Sequence, residues 1–163
     1  MENQKQTQKQ EQIQKQEFVK RSELSVTEIG KLQKFNVSFT ENEKRNIASF
    51  VIELVKGKCQ LNTNYSNRIT IDWNTWNLIK IKAKQKSSFV RPLPVRFSIG
   101  VGSNNKVYHL WELFITDTIN YSGFLTKNDL ELIDILVENG QMQPIVWEDA
   151  GVVEEADLTG GLL

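Results

Sequence analysis

Residues Pro94 to Ile115, PVRFSIGVGSNNKVYHLWELFI, constrain the fold more than any other stretch. Val95, Phe97, Ile99 and Val101 alternate with Arg96, Ser98 and Gly100, the two-residue period of a strand with one buried face. Gly102-Ser103-Asn104-Asn105 follows with residues that tolerate positive φ, so the chain can reverse tightly. Val107 to Ile115 is apolar on both parities, as in a strand covered on both sides. The pattern predicts a β-hairpin. No catalytic signature accompanies it.

A chain of 163 residues leaves room for one domain with tails. Its single cysteine, Cys59, excludes an internal disulfide and argues against a cysteine-based zinc site. The first 17 residues are polar and hold no signal-peptide core, and no stretch reaches the roughly 18 unbroken apolar residues of a membrane span. The expectation is a soluble intracellular protein, cytoplasmic or nuclear, with no membrane partner.

Net charge is zero, but the signs are segregated. From Leu61 to Lys106 the cations are Arg68, Lys80, Lys82, Lys84, Lys86, Arg91, Arg96 and Lys106, against Asp72 alone. After Val107 the only cation is Lys127, among many carboxylates. Such separation suggests a basic surface for a polyanion and an acidic tail that competes for it or recruits a protein partner. Ordinary solvated surface charge is the plainer explanation of the same pattern.

Glutamine occupies every even position from Gln4 to Gln16, a composition that cannot bury enough apolar area to offset ordering entropy. Phe18 to Leu32 shows no consistent period and reads as a linker. Phe35, Val37 and Phe39 make a short strand, and Thr40-x-x-Glu43 has the form of a capping box. With Ile47, Phe50, Val51, Leu54 and Val55 following at helical spacing until Gly57, a helix is predicted over 41–56. Asn62 to Asn67 is a polar turn region, and Arg68 to Trp73 resumes strand alternation. The next segment is ambiguous: Ile79, Ile81 and Ala83 alternate with lysines, yet Asp72 could cap a helix with Trp73, Trp76 and Ile79 on one face. A helix is slightly favoured.

Lys86 to Pro94 reads as a basic loop before the hairpin. Tyr121 to Leu125 is a short strand, and Thr126-x-x-Asp129 caps a helix with Leu130, Ile133, Leu136 and Val137 inward and Gly140 past its end. Gln141 to Trp147 could add an edge strand, and Glu148 to Leu163 reads as an acidic tail. The expected division is a Gln/Lys-rich disordered tail and linker over 1–34, one α+β domain over 35–148, and an acidic disordered tail over 149–163. The domain is an antiparallel sheet packed against two or three helices.

His109 is the only histidine, and neither Ser98 nor Ser122 is marked as a nucleophile, so no catalytic residue is assigned. Glu112 and Asp117 lie near each other, but the carboxylates of the last helix read as a solvated face; no metal or cofactor is assigned. What remains is aromatic and basic. Trp73, Trp76, Phe89, Phe97, Tyr108 and Trp111 interleave with Arg68, Lys80, Lys82, Lys84, Lys86, Arg91, Arg96 and Lys106, and the candidate contacts are these cations with Trp73, Trp76, His109 and Trp111. Single-stranded nucleic acid needs cations along its phosphates and flat side chains under its bases. Phe97, in phase with Val95 and Ile99, belongs instead to the core. Trp111 shares a face with His109 and Leu113, opposite Tyr108, Leu110 and Phe114, and either face could be the open one. Exposure of Trp111 and His109 favours nucleic acid; burial of both favours an assembly role.

Tyr108-His-Leu-Trp-Glu-Leu-Phe114 and Gly123-Phe-Leu-Thr126 make Arg96 to Leu136 resemble the single-stranded-DNA-binding domain of the positive-cofactor-four family of transcriptional coactivators. The outline is also similar to the Whirly and purine-element-binding proteins. The resemblance implies a curved antiparallel sheet backed by a helix, a dimer formed partly through that helix, and nucleic acid across the sheet. Trp111 stands at the family's basic strand position, Ile119-Asn-Tyr-Ser122 at its basic loop, and Leu130 at a helix tryptophan. Phosphate contacts would therefore have to come from Lys80 to Arg96. The function expected is non-enzymatic binding of single-stranded DNA or RNA by a homodimer, the alternative being a protein-interaction or assembly factor whose complex survives nuclease.

Overall fold

Apolar residues on alternate positions drive the chain into strands that bury one side each. The computed structural model describes residues 24–61 and 68–153. After a short helix α1 (Val26–Gly30), a meander of β1 (Lys34–Asn42), β2 (Ile47–Glu53) and β3 (Ile69–Asp72) leads into helix α2 (Trp73–Ala83). A second meander of β4 (Phe89–Gly102), β5 (Val107–Phe114) and β6 (Asn120–Phe124) leads into helix α3 (Lys127–Glu138), and β7 (Trp147–Val153) closes the described chain. The fold is α+β, as the sequence predicts.

The sheet order is β3-β2-β1-β4-β5-β6, with β7 parallel to β4. Because β1 and β4 pair antiparallel, the order reads the same from either edge: two strand-strand-strand-helix halves meet at the β1–β4 ladder. The sheet is curled into a half-barrel. Four ladders separate β2 from β6, yet Phe50 and Tyr121 meet edge to face at 5.2 Å, so the curl closes around the inner face. Phe39, Phe50, Phe97, Trp111 and Leu113 line that face, and Trp76 and Ile79 of α2 join Ile133 and Leu136 of α3 in the same core.

The hairpin forms as expected, with Asn105 at φ 64 in its turn. Asp72 caps α2 and Thr126 caps α3 through a reciprocal box with Asp129. The helix expected over 41–56 does not form. Asn42 instead accepts the Arg45 amide across a single 3-10 turn (Glu43–Arg45), Asn46 takes a left-handed φ of 53, and the chain returns as β2. The segment's apolar residues satisfy both periods, with Ala48, Phe50, Ile52 and Leu54 alternating inward. Pairing with β1 and β3 together decided for the strand.

The loop expected before the hairpin is also strand, since β4 begins at Phe89 and pairs with β1 through Pro94. Pairing with β5 starts only at Val95, which leaves Pro92 and Pro94 the unpaired edge that proline tolerates. No strand forms over 141–146. β7 instead takes Asp149–Val153 into the sheet, residues the sequence assigns to the acidic tail, while 154–163 lie outside the described residues. The linker likewise contributes α1, and the glutamine-rich tail and the 62–67 turn lie outside the described residues. β1 and β7 follow one another along one edge of β4. Gln33 stitches the junction, its side chain bonding Pro144 O and the Val146 amide at 2.9 Å each.

Candidate functional site

In the first half, the Asp72 cap sets α2 so that Trp76 faces inward. The Thr75 amide donates to Asp72 at 2.9 Å and holds its carboxyl below the ordinary value. Trp76 stacks on Phe39 and Phe89 at 5.8 Å each. Its indole N–H and the Lys80 ammonium both donate to Glu41 Oε1 at 2.7 Å. Those bonds, Lys80's first, hold the Glu41 carboxyl low. Lys80 also lies 5.2 Å from the Trp73 ring, while Arg91 lies 5.8 Å from Phe89 and donates to Ala83 O. Cations and aromatics do interleave, but largely with each other.

In the second half, Arg96 is 5 % exposed and enclosed on the outer side of the sheet. Its guanidinium donates to Glu112 at 2.9 Å and Glu148 at 3.5 Å, Asn120 donates to the other Glu112 oxygen at 2.7 Å, and the Phe114 ring lies beneath. Beside it, Leu110, Ala150 and Val153 form a small second core with Tyr108 and Phe124. A side chain at Gly100 would collide with Val153, so glycine lets β7 seat there.

The choice of faces on β5 is settled: His109, Trp111 and Leu113 point to the helix side. Trp111 is 1 % exposed, and His109 is half-buried, edge-on to Trp147 at 5.0 Å. Burial pushes the His109 pKa down. Of the residues proposed for nucleic-acid contact, Trp76 and Trp111 are therefore interior, because the two helices need a face to cover and this one carries the large aromatics, and Arg96 is interior on the opposite side, where Glu112 and Glu148 enclose it. Lys80 is held by Glu41, and Trp73 and Arg91 are half-buried. Arg68, Lys82, Lys84, Lys86 and Lys106 remain exposed, Arg68 bonded to Ser49 and Lys106 at the hairpin tip.

The structure adds residues that the pattern missed. Lys44 and Arg45 ride on the 3-10 turn, and the Glu41 amide bonds Ser88 Oγ at 2.9 Å, so this turn and the 84–88 loop share one end of the sheet. Reading 41–56 as a helix hid that neighbourhood. On the outer side of α2, Leu78 and Ile81 are 59 % and 73 % exposed, with Lys82 beside them. Lys82 approaches Asp117 only at 3.9 Å, a screened surface pair of little worth. On α3 the exposed stripe is Glu131, Asp134, Ile135 and Glu138. A cavity of about 240 Å³ lies beside it, floored by Ile133, Val137, Ile145 and Trp147 and rimmed by Asp134 and Glu138.

Among the described residues no three His, Cys, Asp or Glu side chains come together as a metal site, and no helix is long and apolar enough to cross a membrane. No protein-family model, curated protein or solved structure matches the chain.

Proposed function

We propose that this chain is a non-enzymatic protein-interaction or assembly factor. The observation that carries the reading is an exchange of places: Trp76 and Trp111 lie inside, while Leu78 and Ile81 stand outside on α2. Apolar side chains exposed opposite a helix's buried stripe gain most by burial against another protein. In nuclease-treated extract the native chain is expected to run above its monomer mass. Replacing both Leu78 and Ile81 by serine, at exposed positions that leave the core intact, returns it to the monomer. A native complex that dissolves on nuclease treatment, or ignores the double substitution, overturns the reading.

A second reading keeps single-stranded nucleic acid as the partner, favoured by the convergence of Lys44, Arg45, Lys84 and Lys86 at one end of the sheet. The curved sheet backed by helices is what the positive-cofactor-four resemblance implies, and supports it further. With Trp76 and Trp111 interior, affinity would come mainly from phosphates and fall steeply with salt. Lys84→Glu with Lys86→Glu is expected to weaken oligonucleotide binding at least tenfold. Affinity unchanged between about 50 and 300 mM salt sinks this reading.

A further inference from the structure

The outer faces of the two helices differ in a complementary way. α2 offers a protruding apolar pair, Leu78 and Ile81, with Lys82 beside it and Lys84 just past the helix end. α3 offers the reverse, a recess with an apolar floor and carboxylates on its rim. That cavity of about 240 Å³ is of a size for one or two side chains rather than a drug-sized ligand. Ile135, 52 % exposed, and the half-buried Trp147 add apolar surface around it.

We propose that the partner is a second copy of this chain, and that Leu78 and Ile81 of one copy seat in the α3 recess of the next. Lys82 then pairs with Asp134 and Glu138 across the contact. The inference rests on the interaction reading above and names its partner. A lysine at the mouth of an acid-rimmed recess fixes the orientation of docking, and burial of the two aliphatic side chains supplies the attraction. Donor and acceptor are different surfaces, so the contact is heterologous, and copies join head to tail into a ring or an open chain. No phosphate, metal or third component is needed.

The test is sedimentation velocity of the full chain, freed of nucleic acid, over a range of concentrations. The native mass should rise with concentration and fall as salt goes from about 50 to 500 mM. Ile81→Asp and Lys82→Glu should each lower association at least tenfold, with unchanged circular dichroism because both side chains are exposed. The decisive arm mixes an Ile81→Asp chain, which keeps its recess, with an Asp134→Lys chain, which keeps its apolar pair. Each alone should be monomeric, and together they should form a one-to-one pair that grows no further. A native chain monomeric throughout, or a mixture that fails to pair, overturns the second copy as partner. The nuclease-resistant complex in extract and its loss in the serine variant then decide separately whether the interaction reading stands with another protein.

Discussion

The first half of the molecule, β1 to α2, and the second, β4 to α3, share an element order and one core but solve the same packing problem with different chemistry. In the first, Trp76 and Phe39 stack with Phe89, the residue that opens β4, and Glu41 and Lys80 lock the stack. In the second, α3 seals the core with Ile133 and Leu136, and the polar machinery moves to the other side of the sheet as Arg96 between Glu112 and Glu148. The difference follows from β7. A strand added along the far part of β4 covers part of the outer face there, so Arg96 is enclosed between carboxylates, whereas Thr40 and Thr70 of the first half, with Val90 and Pro92 where β4 pairs with β1, stay exposed on that side. A duplicated layout thus leaves each half a distinct surface, basic around α2 and acidic around α3.

The largest expected effect breaks the second half alone. Arg96→Met leaves Glu112 buried without its cation and should cost about 3–5 kcal/mol in urea unfolding, much of it recovered by adding Glu112→Leu. Full stability in the single variant would show the bridge to be ornamental. Next come Ile79→Ala and Ile133→Ala, at matching positions of the two helices, each expected to cost about 2–5 kcal/mol. Since both lie in one core, each should lower a single cooperative transition; two separate transitions would show the halves to be independent. Smaller still, Thr126→Ala removes the α3 cap for about 0.5–2 kcal/mol by thermal melting.

The smallest effect is in pH. Burial penalises the His109 imidazolium, so the unfolded chain takes up that proton at higher pH than the folded one. Stability should therefore fall as pH drops through the ordinary histidine value of about 6.5, a step that His109→Gln removes. Glu41, held low by Lys80 and the Trp76 indole, adds a second loss as pH drops through the ordinary glutamate range near 4.5, and its step belongs to the first half.

Local pattern was enough for the hairpin, the strand before α3, the capped helix α3 and the core placement of Phe97, since alternation, turn residues and caps act within a few residues; for α2 it only tipped an even choice between strand and helix. Pattern also separated the charges into a basic and an acidic region. It could not decide 41–56, where Ala48, Phe50, Ile52 and Leu54 fit a strand as well as Ile47, Phe50, Val51 and Leu54 fit a helix. Only partners on both sides, β1 and β3, chose between them. Nor could it say that Asp149–Val153 joins a sheet, because that depends on an open edge of β4 contributed from fifty residues away. The same holds for the candidate site: alternation puts Trp111 with His109 and Tyr108 with Leu110, but which pair meets the helices is set by the direction of curl. Sequence determined which side chains share a face. The closing of the sheet around Phe50 and Tyr121, a contact between strands four ladders apart, decided which face is inside, and the docking of α2 on that face left Leu78 and Ile81 outside.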